Sequence, residues 1–573
     1  MDTVLRNRIG ALASWTPNSQ WLGLAGMGCV LGFLVVPPLF FLVRTSVDPG
    51  YFGEGAFTLE HYENVLEATT FTLLTNLFVF AGGSALLGLI FGIPLAWIVE
   101  RTNTPFRGLV YIAAWVSFAT PLVAKGIAWI LLLGPEAGMI NTWLMDLFNL
   151  ENVPFNVFSM GGMIFVEGIL WAPLVFLLMA APLRHMDPSL EEASAMSGSG
   201  TVRTAYQITL KLALPSILSV LLLAFVRSME AFEVPALIGL PARVILPITK
   251  IYISLELTAT PDYGVASAYA VVLLALVGAA LYAYARATHA AHKFQTITGK
   301  GFRPRVLDIG KWKYVTLAYV LILPTLIILP LIVLLWVSFL PFSMQPSWEA
   351  VSRLTLANYP RVFRNTAALS SLTNSAIVSA ACSTFAVLIT VIVAWTVIRT
   401  KMTGRWALDG LVSFPLVFPG LVLGLAVLRT YASLPIPIYG TLWIIIIAYI
   451  VRYLPYAVRF FYPGILQIHK ELEESARMCG ATWAYMFRRI VLPLLIPAIM
   501  GAWVWIFLQS IKELSTAVLL AGPGTQLVSV FIFDLWEDAQ LVDLAAFVSV
   551  FSAGLIVLAY VAQKLSNRFG THV

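Results

Sequence analysis

Apolar stretches long enough to cross a lipid bilayer recur from one end of this chain to the other. A helix needs about 20 consecutive, mostly apolar residues to span the hydrocarbon core. Only 11% of the residues are charged, against about 25% in a typical soluble domain, and the mean hydropathy is +0.87. The sequence therefore predicts an all-α polytopic membrane protein.

The apolar stretches predict about twelve transmembrane helices. The predicted spans are residues 21–43, 72–98, 108–133, 157–183, 212–237, 264–286, 314–340, 370–398, 409–432, 441–466, 494–520 and 540–563. The first span follows Arg6 and Arg8 and is longer than the apolar core of a signal peptide. We expect it to remain in the membrane as an anchor.

Basic residues predict the orientation. With the amino terminus in the cytoplasm, most Lys and Arg side chains fall in cytoplasmic segments, as the positive-inside rule requires. Twelve spans then place both termini in the cytoplasm. The net charge of +6 follows from this topology and from contact with the inner leaflet, so we expect no nucleic-acid partner.

The sequence contains an internal duplication. Short matches recur at an offset of 298 residues, which becomes 282 beyond about residue 160. The matched pairs include Asn76 with Asn374, Trp97 with Trp395, Arg101 with Arg399, Gly126 with Gly424 and Pro173 with Pro455. Six spans per half give the two halves the same orientation, related by an axis along the membrane normal. We expect permease-like domains at 1–286 and 314–573, joined by a basic cytoplasmic linker at 287–313.

A short polar segment lies between the fourth and fifth spans of each half. It reads LEEASAMSG at residues 190–198 and LEESARMCG at residues 472–480. The final glycine suits the left-handed position that ends many helices, so each segment predicts a short helix followed by a sharp turn. So short a helix needs tertiary contacts or a partner to be stable. In the second copy we expect Glu473 to pair with Arg477, one turn away.

The two segments resemble the signature of permease subunits of bacterial binding-protein-dependent ABC importers. That signature is EAA, three residues, Gly, nine residues and Ile-x-Leu-Pro, and the second copy continues correctly to Ile490, Leu492 and Pro493. The first copy departs at Lys211, which stands where the signature has proline. The resemblance implies a type I ABC importer permease fold of two parallel six-helix repeats. The positions that it implies for coupling to an ATPase are Glu191, Glu192, Ala193, Gly198, Glu473, Glu474, Ser475 and Gly480.

The resemblance also implies partners. Each short helix would sit in a cleft of a cytoplasmic ABC ATPase subunit, and we expect those subunits to form a homodimer. A periplasmic substrate-binding protein would deliver the cargo at the bacterial cell inner membrane. The sequence has no GxxxxGK[ST] motif, so we expect no enzymatic activity in the chain itself. We expect no cofactor.

Over nearly its whole length the chain looks most like ferric-iron importer permeases of the FbpB type. The fused layout and the fifth spans carry this resemblance, with Phe225 matching Phe507 and Ser228 matching Ser510. It implies ferric iron as the cargo. Polyamine, sulfate, thiamine and phosphonate permeases share the coupling signature and remain alternatives. Because the binding protein confers most of the selectivity, we expect no resident metal site in the permease.

Ionisable residues inside the predicted spans are candidates for the translocation path, because a charge at membrane depth is costly. The candidates are Lys125, Glu167, Glu230, Glu233 and Glu513. Structural pairing is the alternative for Arg227 with Glu230 and for Lys512 with Glu513.

An ion-coupled secondary transporter is the alternative class, since such proteins also have two parallel six-helix halves. That class carries a basic loop with glycine and aspartate between its second and third spans. The corresponding loops here, VERTNTPFRG and IRTKMTGRW, lack that arrangement. A channel would leave the repeated cytoplasmic helices without a role. The sequence favours the ATP-driven importer.

Overall fold

The chain folds into an all-α assembly of membrane helices. The computed structural model describes residues 19–48, 57–187, 189–291 and 307–568. Within these ranges the regular structure is helical, apart from one isolated bridge between Thr102 and Leu307. Hydrocarbon offers no water to backbone polar groups, and a helix pairs each N–H and C=O within its own segment. The predicted all-α membrane fold is confirmed.

The first half contains the helices that we number α1 to α12. They are α1 (Ser19–Ser46), α2 (Glu60–Val65), α3 (Ala68–Arg101), α4 (Arg107–Ala119), α5 (Leu122–Leu133), α6 (Met139–Phe148), α7 (Met160–His185), α8 (Ser189–Met196), α9 (Thr201–Thr204), α10 (Leu210–Met229), α11 (Pro247–Glu256) and α12 (Tyr263–Ala291). π-helical segments lie on either side of α10, at Ala205–Thr209 and Pro235–Gly239.

The second half contains helices α13 to α24. They are α13 (Lys313–Ser338), α14 (Trp348–Ser352), α15 (Asn358–Arg364), α16 (Thr366–Arg399), α17 (Arg405–Ser413), α18 (Gly420–Ser433), α19 (Leu442–Gln467), α20 (Lys470–Met478), α21 (Trp483–Met486), α22 (Leu492–Ser510), α23 (Val528–Glu537) and α24 (Leu541–Arg568). A 3-10 turn at Gly310–Trp312 leads into α13, another at Phe414–Val417 follows α17, and a π-helical segment at Phe487–Val491 leads into α22.

Ten of the described helices are long and apolar enough to cross a membrane, and two bent pairs bring the number to twelve if each pair is one span. The helices of the first pair, α4 and α5, meet at 108°, and those of the second, Arg405–Val417 and α18, meet at 113°. Pro121 and Pro419 stand at the bends, with ψ of 141° and 146°. Proline cannot continue helical hydrogen bonding, so both predicted spans are broken there.

Two predicted spans extend beyond their helices. The spans at 212–237 and 494–520 correspond to α10 and α22, which end at Met229 and Ser510. The apolar sequence continues past both ends, but the chain there forms turns and a π-helical segment that the rest of the protein buries. Hydrophobicity alone does not distinguish a buried irregular segment from a helix, so this part of the prediction was wrong.

The duplication is visible in the long helices of the structure, whereas α6 of the first half has no counterpart among the described helices of the second. Helices α3 and α16 lie 298 residues apart at both ends, and α7 and α19 lie 282 apart at both ends. Even the π-helical segments that precede α10 and α22 are 282 residues apart. The two halves are therefore structural repeats with matching irregularities.

The halves exchange their first helices. Helix α1 packs against α18 of the second half, and α13 packs against α4 and α5 of the first half. Within the halves, α3 packs along α7 and α16 packs along α19. A Cβ atom on Gly92 of α3 would lie 2.6 Å from Val175 Cβ of α7. Small residues thus allow a close backbone approach, as is common between membrane helices.

Two contacts locate the axis that relates the halves. Ser515 Oγ donates a hydrogen bond of 3.3 Å to the Oε1 atom of Glu233, which lies 282 positions earlier. Helices α11 and α23 are 281 residues apart at both ends, so Tyr252 and Phe533 are equivalent residues, and their rings meet edge to face with centroids 6.4 Å apart. A residue can touch its own repeat equivalent only near the symmetry axis. Both contacts therefore lie beside that axis.

The close approach of α3 and α7 gives a testable prediction. The variant Gly92→Ala should lose about 1–3 kcal/mol of folding stability, because the added methyl group overlaps Val175. Thermal unfolding of the purified protein in detergent measures the loss. Gly82→Ala is the matched control, since a Cβ at Gly82 of the same helix meets nothing within 4 Å. Equal unfolding temperatures for the two variants would contradict this packing.

Candidate functional site

The two short helices α8 and α20 occupy equivalent places, and each turns one glutamate inward. Glu191 of α8 is 2% exposed and Glu473 of α20 is 5% exposed. A buried carboxylate needs a partner to offset the loss of hydration. In both halves that partner is an arginine at the end of the second span.

In the first half, Glu191 forms an ion pair with Arg101, the last residue of α3, whose side chain is fully buried. The same carboxylate accepts a 2.6 Å hydrogen bond from Thr209 Oγ1, in the π-helical segment before α10. Arg101 also donates a hydrogen bond to the carbonyl of Met186, at 3.4 Å. These contacts connect α8 to the second span and to the beginning of the fifth.

The second half repeats this arrangement. Arg399 Nε lies 3.0 Å from Glu473 Oε1, and the Trp395 indole N–H donates a 3.2 Å hydrogen bond to Glu473 Oε2. The predicted pair of Glu473 with Arg477 was wrong, since Glu473 turns toward α16 and Arg477 stays exposed. The prediction considered only contacts within the short helix. The actual partner, Arg399, is buried at the end of the neighbouring span and is distant in sequence.

The opposite face of each short helix is open to solvent and includes large apolar side chains. Met196 is 85% exposed and Met478 is 89% exposed. The other exposed members of this surface are Leu190, Ala193, Leu472, Glu474 and Ser475, and Glu192 is half-buried. We call these residues the coupling faces of α8 and α20, after the role that the sequence resemblance predicts for them.

Gly198 and Gly480 end the short helices with a φ of +78° in both halves. This left-handed conformation costs a residue with a Cβ about 1–2 kcal/mol. A Cβ at either position would meet nothing within 4 Å, so the backbone angle alone requires glycine. The sharp turn predicted at each glycine is present.

The end of the predicted linker returns to the first half next to Arg101. Leu307 forms a bridge with Thr102, and Asn103 Nδ2 donates a 2.8 Å hydrogen bond to Asp308 Oδ1. The Gly310 backbone N–H and this Asn103 amide hold the pKa of Asp308 below its usual value. The other residues of the predicted linker, from 292 to 306, lie outside the described ranges.

Lys125 and Glu167, two of the path candidates, are buried with partners in the first half. Lys125 Nζ donates to the carbonyl of Ser117 at 3.0 Å and to its hydroxyl at 3.2 Å. Glu167 accepts a 2.9 Å hydrogen bond from the indole N–H of Trp171. The structure thus brings both charges inside the helix assembly, with polar groups around them.

Glu230 and Glu233 lie where the halves meet, whereas Glu513 is paired within the second half. Arg227 pairs with Glu230 at 2.5 Å, as predicted, and also donates a hydrogen bond to the hydroxyl of Tyr456 in the other half. Glu513 lies 3.4 Å from Arg452, measured from Oε1 to Nε.

The predicted pair of Lys512 with Glu513 was wrong. Lys512 instead donates a hydrogen bond to the carbonyl of Phe118, in the first half. Both residues lie beyond the end of α22, where the chain turns, and Glu513 faces Arg452 of the second half instead.

Sequence reasoning missed the residues that hold these groups, chiefly Arg101, Arg399 and Tyr456. The two arginines recur at the offset of 298 residues, and that signal could have marked them as partners of the repeated glutamates. Among the described residues no group of three or more His, Cys, Asp or Glu side chains is arranged to hold a metal ion.

The buried ion pair predicts a double-mutant result. Arg101→Met should destabilise the protein by about 3–5 kcal/mol, because it leaves Glu191 buried without a counter-charge. The double variant Arg101→Met, Glu191→Leu should recover most of that loss. Thermal unfolding and protease cleavage after α8 are the measurements. Glu474→Gln, on the exposed face of α20, serves as the control. A single variant as stable as the unmodified protein would argue against the pair.

Comparison with known proteins identifies the family. The family described as "Binding-protein-dependent transport system inner membrane component" matches residues 88–288 and again 386–569. The two matches together cover more than half of the chain. Each includes one short helix with its buried glutamate and its left-handed glycine.

Relatives carry the names of importer subunits. The chain is 25% identical over 514 residues to "Ferric transport system permease protein FbpB" of Actinobacillus pleuropneumoniae, covering 89% of this chain and 72% of that protein. It is 27% identical over 236 residues to "Sulfate transport system permease protein CysT" of Salmonella typhimurium, covering 39% of this chain and 85% of that protein.

A solved structure, described as a bacterial ABC transporter involved in the import of the acidic polysaccharide alginate, aligns with 44% of this chain and 95% of its own. Its TM-score is 0.38 and its sequence identity is 16%. The family match covers both halves of the present sequence. The chain therefore belongs to the binding-protein-dependent transport system inner membrane components, the membrane permeases of ABC importers, with the family's domain present twice.

Proposed function

We propose that this permease imports ferric iron across the bacterial inner membrane. A periplasmic binding protein delivers the cargo, and a homodimer of cytoplasmic ABC ATPase subunits drives alternating access. The chain has both termini in the cytoplasm, and its working parts are two domains, 1–286 and 314–573, with a linker at 287–313. The observation that carries the mechanism is the repeated buried pair of a coupling-helix glutamate with an arginine of the second span.

The twin coupling faces support a homodimeric ATPase. The exposed methionines Met196 and Met478 and the exposed leucines Leu190 and Leu472 stand at matching positions. Two like surfaces, related by an axis along the membrane normal, fit two like partners. Basic residues concentrate on the side of α8 and α20 in the twelve-span topology, which supports a cytoplasmic location for both helices.

The buried ion pairs supply a mechanical connection. A movement of α8 would carry Glu191 with it, and separating Glu191 from Arg101 would leave two charges without partners in a dry environment. The coupling helix and the second span should therefore move together. Arg399 and Glu473 give the second half the same connection.

We assign the translocation path to five ionisable residues inside the helix assembly, of which Glu233 is half-buried and the other four are buried. They are Lys125, Glu167, Glu230, Glu233 and Glu513. The contacts of Arg227 with Tyr456 and of Lys512 with Phe118 cross the interface, so separating the halves would break them. Such polar contacts can re-form in a second arrangement, which alternating access requires.

Ferric iron is the cargo that the relatives favour, because similarity to the FbpB permease extends over most of the chain. Ferric iron prefers hard oxygen ligands, and carboxylates are the candidates in the path. Sulfate and phosphonate are the rival cargoes that relatives support, since the similarity to CysT and to the 2-aminoethylphosphonate permease PhnV covers most of each of those permeases. Polyamine and thiamine remain further alternatives.

The cargo can be tested in proteoliposomes that contain the permease, its ATPase and its binding protein. We expect ATP-dependent uptake of radioactive ferric iron supplied on the binding protein. Omission of ATP or of the binding protein is the control. ATP-dependent uptake of sulfate without uptake of iron would overturn the proposed cargo and leave the importer class unchanged.

The left-handed glycines give a separate test of the coupling helices. The double variant Gly198→Val, Gly480→Val should insert normally but lose most binding-protein-stimulated ATP hydrolysis, because a β-branched residue distorts a turn at φ +78°. Gly200→Thr is the control, since it introduces the residue that the second half carries at Thr482. Full stimulation in the double variant would refute the assigned role.

A further inference from the structure

A cavity of about 400 Å³ lies between the two halves, beside the contact of Tyr252 with Phe533. Residues of α11, of α23 and of the segment 518–526 line it. The short helices α8 and α20 precede the fifth spans, whereas α11 and α23 follow them. The fifth span of each half crosses the membrane between the short helix and the helix that lines the cavity. The cavity therefore opens on the side of the membrane opposite the coupling faces.

Three carboxylates line this cavity. Glu256 and Glu537 are the last residues of α11 and α23 and are repeat equivalents, so the axis brings the same side chain in from each half. Asp534 is the third, and it accepts a hydrogen bond from Gln526. No lysine or arginine is among the described residues that line the cavity. The negative charges therefore have no local counter-charge.

Tyr252 supplies an independent indication of a ligand. Its side chain is only 5% exposed, it lines the cavity, and its hydroxyl forms no hydrogen bond within the described parts of the chain. Burial raises the pKa of Tyr252, and the nearby charges of Glu537, Glu256 and Asp534 raise it further. The hydroxyl is therefore free to donate a hydrogen bond to, or accept one from, an occupant of the cavity.

The electrostatics favour a positive occupant. Burial raises the pKa of Glu256, Asp534 and Glu537, and repulsion from Asp534, Asp538 and Glu256 adds to the rise at Glu537. These helices lie outside the candidate membrane spans. A cation would relieve both the desolvation and the repulsion, and a cleft lined by one sign of charge raises the local concentration of the opposite ion.

We propose that this cavity is an outer binding site for a hard, multivalent cation, held by Glu256, Asp534 and Glu537 and contacted by the Tyr252 hydroxyl. This inference rests on the proposed import of ferric iron. The cavity would be the first site at which the permease binds that cargo. Among the described residues these three carboxylates do not lie close enough together to ligate a bare metal ion directly. The proposed occupant is therefore a hydrated cation. A volume of about 400 Å³ accommodates an ion with a first shell of about six waters, each occupying about 30 Å³.

Terbium(III), a hard trivalent cation, is the probe for this site. The permease–ATPase complex is placed in nanodiscs of neutral lipid, and terbium luminescence excited through aromatic side chains is titrated. The triple variant Glu256→Gln, Asp534→Asn, Glu537→Gln should bind terbium about tenfold more weakly or worse, because three charges are removed. The matched control is Glu136→Gln, Asp146→Asn, Glu151→Gln, three exposed carboxylates that do not line the cavity. It should bind like the unmodified protein.

Tyr252→Phe is the second variant, and it keeps all three carboxylates. It should weaken binding, because the hydroxyl contact is lost. Unchanged terbium affinity in both this variant and the triple variant would overturn the site. In proteoliposomes the triple variant should import ferric iron more slowly while the binding protein still stimulates ATP hydrolysis, and normal import would overturn the role in transport. Failure of the unmodified complex to import iron would instead refute the proposed cargo, because terbium binding is measured without transport.

Discussion

Arg101 and Arg399 each neutralise a carboxylate that is almost completely removed from water. Such a pair contributes little net stability relative to apolar packing, but losing one partner is costly because the other charge stays buried. The pairing therefore acts as a constraint on motion. Each short helix is bound to the end of the second span, the second span packs along the fourth, and the three elements form one unit in each half.

The exchange of first helices extends this constraint to the whole molecule. Because α1 packs on the second half and α13 on the first, neither half can rotate without taking along a helix of the other. The contacts at the axis, Glu233 with Ser515 and Tyr252 with Phe533, are displaced least when one half rotates against the other about that axis. Polar and aromatic contacts between the halves can therefore persist there during such a rotation.

Hydrophobicity and repetition were sufficient to predict the fold, because lipid permits few alternatives to a helix. The short helices and their glycines were also predictable, since helix-ending signals are local. The ion pair of Glu473 with Arg399 was not, because its partners lie on different helices. The bends at Pro121 and Pro419 were not predicted, because other prolines, such as Pro94 and Pro173, lie inside continuous membrane helices. Glu256 and Glu537 lie outside every motif and predicted span, so they had no sequence signal.

The bridge between Leu307 and Thr102 introduces a difference between two otherwise matching halves. In the first half, the segment that leads into α13 pairs with the loop that follows Arg101. In the second half, the corresponding loop is held by Arg405, which donates a hydrogen bond to the carbonyl of Thr400. Joining the repeats in one polypeptide thus adds a backbone contact beside the end of the second span in the first half only. A force applied equally to α8 and α20 would therefore meet unequal resistance in the two halves.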